Sequence, residues 1–319
     1  MQNQDDRIRV GISTCLLGVN VRFDGGHKKD SFITGTLNDY FDWVPVCPEV
    51  EVGMSTPREA VRLVGPPENP KMLGTRSGRD WTRAMQRYTV PRVNALKKEN
   101  LHGYILKSKS PSCGMERVKV YTEQGMPNKT SAGLFARVLL ERMPWLPVEE
   151  EGRLNDPLLR ENFIVRVFSH WRWSQIATSR MRIRDLVEFH AAHKFLIQAH
   201  SETHLRALGK LTAEAKSYTP AELRERYGRL FFEGLKKKAT RKRHRNVLEH
   251  IAGFFKRDLD PDDRRELHDT ITDYAEDVLP LIVPITLLRH HARRLKMDYI
   301  QNQVYLNPHP RQLKLLNHV

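Results

Sequence analysis

The chain has 319 residues and carries 53 Lys and Arg against 38 Asp and Glu, a formal net charge of +15. At roughly 150 residues per domain there is room for about two domains, and 39% hydrophobic residues suffice to bury a core in each. No apolar run approaches the ~20 residues of a membrane-spanning helix, and three cysteines, an odd number set far apart, exclude a disulfide-stapled scaffold.

The opening Met1–Asp6 is polar and acidic, without a basic and then apolar stretch. The expectation is therefore no secretory leader and a cytoplasmic location. Residues 7–14 read as a first strand ending at Cys15, and residues 42–46 form a short apolar stretch running into Cys47. Arg79 to Glu99 reads as a helix with apolar Trp81, Met85, Tyr88, Val93 and Leu96, kinked or not by Pro91. Residues 103–107 form a third strand, followed by Ser108-Lys-Ser-Pro-Ser-Cys113. Strands alternating with helices predict an α/β domain with a Rossmann-like parallel sheet. The site of such a sheet lies beyond the carboxyl ends of its strands, and each cysteine follows a strand directly.

Met143-Pro-Trp-Leu-Pro147 and the acidic 149–151 read as a linker. The sequence then changes style, giving domains at 1–150 and 151–319. The second is predicted all-α, with about six helices. Thr219-Pro-Ala-Glu222 and Asp260-Pro-Asp-Asp263 have the residue order of helix starts. Leu267, Ile271, Tyr274 and Val278, and Leu186, Phe189, Ala192, Leu196 and Ala199, lie at helical spacing. Residues 1–150 hold 22 Lys and Arg against 17 acids, and residues 151–319 hold 31 against 21. The thiols and most of the positive charge therefore sit in different domains.

No CxxC pair is present, so spacing alone does not announce a metal, and a free Cys is commonly a small buried hydrophobe. Local composition points the other way: each cysteine stands among Gly, Pro or Ser in loop chemistry. Three thiolates from three loops suit three irons of a [4Fe–4S] cluster, with the fourth iron left open for a substrate atom. Cys15-Leu-Leu-Gly18 with Arg22-Phe-Asp-Gly25, Cys47-Pro-Glu49 with Gly53 and Pro57-Arg58, and Lys107-Ser-Lys-Ser-Pro-Ser-Cys-Gly114 resemble the thiouracil desulfidase (TudS) family over residues 7–145. Phe189-His-Ala-Ala-His-Lys194, Lys236 to His244 and Tyr305-Leu-Asn-Pro308 resemble the helical domain fused to some members, the tRNA 4-thiouridine desulfidase (RudS) branch.

The resemblance implies a [4Fe–4S] cluster on Cys15, Cys47 and Cys113 and hydrolytic removal of sulfur from a thiolated uracil, releasing sulfide. It implies Glu49 as general acid/base and Ser110 as the catalytic serine, with Ser112 next to it. Ordinary readings are a helix-start acid for Glu49 and turn serines for the other two. Arg22, Asp24, Arg58 and Lys109 are weaker candidates for holding a phosphate or base edge.

Residues 236–245 hold seven Lys or Arg in ten residues: Lys236, Lys237, Lys238, Arg241, Lys242, Arg243 and Arg245. A solvated helix face is the default for such a run. Without an acid among them, the seven suit a polyanion, and tRNA is the partner expected, with Arg289 to Lys296 as a second basic segment. The histidines of this half complete no convincing ligand set. The expected activity is desulfidation of 4-thiouridine in tRNA. The alternatives are the same chemistry on free thiouracil or a 4-thiouridine nucleotide, and an iron–sulfur nucleic-acid-binding regulator without turnover.

Overall fold

The computed structural model describes residues 7–317, so the polar opening segment lies outside the described residues. The chain divides into two compact units, Met1–Asp156 and Pro157–Val319.

The first unit is α/β. In chain order it contains β1 (Ile8–Ser13), α1 (Ser31–Thr34), β2 (Phe41–Val46), α2 (Pro48–Glu51), β3 (Val61–Val64), β4 (Lys71–Gly74) and α3 (Thr82–Lys98). Then come β5 (Gly103–Leu106), β6 (Val118–Tyr121), β7 (Pro127–Ser131), α4 (Leu134–Arg142) and β8 (Val148–Glu150). Strands β2-β1-β5-β8 form one sheet, and each of its three pairings is parallel. The three strands expected from the sequence are its first three members.

β1 and β5 are buried apolar runs: Val10, Ile12, Tyr104, Ile105 and Leu106 are fully enclosed. That is the pattern of a parallel strand covered on both faces. Gly11 is required where β1 passes Tyr104, because a Cβ there would stand 2.2 Å from the ring. Val93 and Leu96 of α3 and Phe135, Ala136 and Leu139 of α4 pack with Tyr104 in one core cluster. The helix expected over 79–99 is present, and it runs through Pro91.

Two features differ from expectation. The stretch read as an acidic linker contains β8, the fourth strand, with Glu149 and Glu150 buried. They are tolerated there because Arg153 Nε donates to Glu149 at 2.6 Å and the Met115 N–H donates to Glu150 at 2.8 Å. There is also a second sheet, β4-β3-β6-β7, mixed in direction, built from short strands of four or five residues.

The second unit is helical, with α5 (Pro157–Ile176), α6 (Ile183–His200), α7 (Glu202–Ala213), α8 (Pro220–Lys236), α9 (Arg241–Phe254), α10 (Pro261–Ala275), α11 (Ile282–Arg294) and the short α12 (Asp298–Gln301). These described helices exceed the six expected, because turns such as Ser201 split what reads as longer stretches. Both expected starts are real: Thr219 and Glu222 cap each other's backbone N–H, and Asp260 accepts from the Asp262 and Asp263 amides. The core is aromatic, with Trp173 stacked on Tyr227 and edge-on to Phe189. No described helix is long and apolar enough to cross a membrane.

Candidate active site

The site is built on the carboxyl edge of the parallel sheet, where β2, β1 and β5 end side by side. β1 runs into a 3-10 turn, Thr14–Leu17, that carries Cys15. β2 delivers Cys47 as the residue before α2, with Pro48 at the first helical position. β5 runs into the loop that carries Cys113. That loop sits so close to Gly133 that a Cβ there would meet the Ser112 carbonyl carbon and oxygen at 2.5 Å. All three cysteines line one cavity of about 420 Å³, together with Glu49, Arg58, Ser110 and Ser112.

All three thiols are unpaired. Burial is the main cause that raises the pKa of each, pushing Cys15 up to about 11 with the nearby Cys47 adding to it. Cys47 and Cys113 are raised as well, burial first in both cases. Among the described residues, no three His, Cys, Asp or Glu side chains close around a single metal ion. The donor set that faces the cavity is three soft thiols with no histidine in the lining. Such a set fits a larger, thiophilic iron–sulfur group better than a mononuclear ion.

Glu49 is the best-organised side chain in the cavity. Arg58 grips its Oε2 with Nη2 at 2.6 Å and Nε at 3.1 Å. The pair is nearly enclosed, with side chains 7% and 13% exposed for Arg58 and Glu49. Arg58 is itself fixed by the carbonyls of Val21 at 3.0 Å and Ser55 at 3.1 Å. The other oxygen, Oε1, accepts from Ser112 Oγ at 2.7 Å and, more weakly, from Ser110 Oγ at 3.5 Å. The serine hydroxyls are 2.9 Å apart. Ser110 Oγ also accepts from the Cys113 amide at 3.1 Å and the Ser112 amide at 3.3 Å, which shapes the cysteine loop.

The sequence-predicted residues Cys15, Cys47, Cys113, Glu49 and Ser110 therefore meet in one place. Ser112, ranked second in sequence, makes the shorter bond to Glu49. Arg58, one of the weaker candidates in sequence, is the direct partner of the carboxylate. Its nine-residue separation from Glu49 follows no periodic rule, so only the fold reveals it. Lys107 is a further member: it pairs with Glu151, while Glu151 accepts from the Ser108 amide at 2.7 Å. Lys28 and Lys109 complete a basic wall.

The basic run of the helical unit is divided by its fold. Lys236 ends α8, Lys237 and Lys238 lie in the connection, and Arg241, Lys242, Arg243 and Arg245 open α9. Arg241 pairs with Asp277, and Arg245 with Glu249 at 2.7 Å. Arg243 donates to the His200 carbonyl at 2.9 Å. Acids absent from the run itself are thus supplied by the fold for Arg241 and Arg245. Lys237, Lys238 and Lys242 are exposed. The second basic segment is divided: Arg289 and His291 are buried, whereas Arg293, Arg294 and Lys296 are exposed, Arg294 pairing with Asp263. Its helical phase with Ile285, Leu288 and Ala292 turns only Arg289 and His291 inward.

The first unit has recognisable relatives. Residues 10–151 match a family model described as 2-thiouracil desulfurase. The uncharacterised protein YbbK of Bacillus subtilis (strain 168) is 32% identical over 152 residues, spanning 46% of this chain and 98% of YbbK. The chain belongs to the 2-thiouracil desulfurase family. Residues 194–310 match a second model, a protein of unknown function (DUF1722). The uncharacterised protein YbgA of Escherichia coli (strain K12) is 23% identical over 156 residues, spanning 49% of this chain and 92% of YbgA. A solved [4Fe-4S]-dependent thiouracil desulfidase, TudS, is similar at 27% identity and a TM-score of 0.38, spanning 47% of this chain and 95% of TudS.

Proposed function

We propose that this protein is a [4Fe–4S]-dependent desulfidase that converts 4-thiouridine in tRNA to uridine and releases sulfide. The observation that carries the reading is the meeting of three cysteines from three adjacent parallel strands with a clamped carboxylate in one cavity. Cys15, Cys47 and Cys113 would hold the cluster. When bound, it supplies a thiophilic Lewis acid for the thiocarbonyl sulfur, leaving one iron without a protein ligand.

The residues do the rest. The net reaction is hydrolysis: the oxygen of water bonds to C4, the C–S bond breaks, and sulfur leaves as sulfide with no external electron donor. Glu49 accepts a proton from the attacking water through Oε1, the oxygen not held by Arg58. Ser112, 2.7 Å from that oxygen, and Ser110, 2.9 Å from Ser112, form a two-hydroxyl path that returns protons towards the pyrimidine and the leaving sulfur. Arg58 is a positioning residue that keeps the carboxylate in one orientation.

The tRNA part of the reading is supported by the helical unit. Exposed Lys237, Lys238 and Lys242 adjoin the start of α9, where Arg241, Lys242, Arg243 and Arg245 line a depression of about 820 Å³. A free base needs no such surface, whereas a thiouridine inside tRNA must be unstacked and held at a cost of a few kcal/mol. The test is anaerobic reconstitution followed by incubation with 4-thiouridine-containing tRNA. Loss of the near-ultraviolet band of the thiolated base is the expected result. Turnover of the nucleotide but not of tRNA would move the assignment to the small substrate. Binding without turnover would leave an iron–sulfur RNA-binding protein.

A further inference from the structure

We infer that Glu51 is a positioning residue for the cluster ligand Cys47, holding its amide and its carbonyl and tying them to α3 through Tyr88 and Arg92. The inference rests on the reading of Cys15, Cys47 and Cys113 as the cluster ligands.

Cys47 is the residue at which β2 gives way to α2. Its N–H donates to Glu51 Oε1 at 3.0 Å, and its carbonyl accepts from the Glu51 amide at 2.9 Å. One residue thus satisfies both main-chain polar groups of the ligand. Glu49, on the same short helix, lines the cavity, and Glu51 does not. Glu51 therefore acts through Cys47 rather than on a substrate.

The second carboxylate oxygen sets Glu51 apart from an ordinary helix-start acid. Oε2 accepts from the Tyr88 hydroxyl at 2.6 Å and from Arg92 Nε at 3.1 Å, two residues one turn apart on α3. Arg92 Nη1 donates in turn to Glu99 Oε1 at 3.1 Å, and Arg9 of β1 donates to the Glu99 carbonyl at 3.0 Å. β1 ends at the turn that carries Cys15. The hydrogen bonds therefore run from one cysteine, through α3, to the strand that delivers another. Outer partners of this kind orient a metal ligand and tune the metal it holds. With its N–H engaged by an oxygen, the Cys47 amide is not free to donate to a sulfur. The charge of Glu51 stands one hydrogen bond from the ligand, and net charge and hydrogen bonds around a cluster set its reduction potential.

The competing role is a helix-start acid whose loss costs stability alone. The two roles separate in the full-length protein after anaerobic reconstitution. Glu51→Ala should hold iron about 10–100-fold more weakly against a chelator, the usual cost of removing an outer partner of a metal ligand. Glu51→Gln keeps an oxygen for the Cys47 amide and removes the charge. It should retain iron as the parent does, while the midpoint potential of the cluster moves to more positive values in a dye-equilibrated titration. Arg92→Gln should move it to more negative values, because a cation has gone instead. A general loosening of the fold would not shift the potential in opposite directions according to the charge removed. Should Glu51→Ala fail to fold, Tyr88→Phe, which removes one bond to Oε2 and keeps the ring, should show the weakened hold on iron in its place. A parent protein that takes up no cluster would overturn the desulfidase reading and this inference with it. A parent that takes up the cluster, beside variants with unchanged iron retention and unchanged midpoints, would overturn this inference alone and leave Glu51 as a helix-start acid.

Discussion

The two units handle buried polar chemistry in opposite ways. In the α/β unit, buried charge is matched within the protein: Glu49 by Arg58, Glu149 by Arg153, Glu151 by Lys107. Glu150 is held by the Met115 amide rather than by a cation, and the three thiols gather in one cavity. In the helical unit, the surface charges are partly paired, while Arg289 is buried with no acid partner among the described residues and His193, His200 and His309 are buried in the neutral form. Matched charge around an unmatched soft donor set is what a metal-dependent reaction needs. Histidines buried in the neutral form make a unit sensitive to acid.

The largest test of this contrast is removal of a thiol. Cys15→Ala, Cys47→Ala or Cys113→Ala should each abolish visible cluster absorbance and turnover together, measured after anaerobic reconstitution. Full turnover in any one of them would show that the cavity is not the cluster site. Glu49→Gln comes next. It should retain iron and sulfide content but lose about 10²–10⁴-fold in kcat, the usual worth of a positioned acid–base group. Turnover close to that of the parent would remove Glu49 from the chemistry. Ser112→Ala should lower kcat with iron retained. Ser110→Ala should also loosen the cluster, because Ser110 Oγ holds the Cys113 amide.

Much of the catalytic half was legible in the sequence because burial and loop chemistry alternate sharply there. Apolar runs at 8–13, 41–46 and 103–106 each end at a segment rich in Gly, Pro or Ser that carries one cysteine. β8 was hidden because its strand residues are glutamates, and acids are placed inside only when distant partners such as Arg153 and the Met115 amide are present. Arg58 was hidden for a similar reason: its value to the site depends on a loop returning to Glu49, which no periodicity encodes. In the helical half, the charge of residues 236–245 was legible but its pairing was only half so. Glu249 lies one helical turn after Arg245 in the same helix, whereas Asp277 reaches Arg241 from beyond α10.

The surface of the helical unit provides the next test. Replacing Lys237, Lys238 and Lys242 together by Gln should weaken tRNA binding and reduce the slope of log K against log salt by about 0.7–0.9 for each phosphate no longer neutralised. Turnover of a small thiouracil substrate should be unchanged, and the fold should be intact, since all three side chains are exposed. An unchanged salt slope would place the tRNA interface elsewhere.

The smallest expected effect concerns acid, and it separates the units by stability rather than activity. Burial lowers the pKa of His200 and His309 from 6.5 to about 4 and that of His193 to about 3. The α/β unit has one comparable group, His102, at about 4. These histidines are neutral when folded, whereas the unfolded chain takes up their protons near pH 6.5. The stability they allow is therefore fully present above that pH and is lost as pH falls towards their folded values. Over the first pH unit below 6.5 the loss is about 1 kcal/mol for each of these histidines; burial lowers His190, His204 and His291 of the helical unit in the same direction, while Glu161, raised to about 8 by burial, acts in the opposite sense. Hydrogen exchange, corrected for the intrinsic pH dependence of amide exchange, should show protection of α6 and α11 falling more steeply than that of β1 and β5. His193→Gln should flatten the slope of the helical unit, because its most strongly shifted histidine is gone. Equal slopes in the two units would mean that these histidines take up protons when folded, by local opening, and that their burial does not set the acid limit of the helical unit.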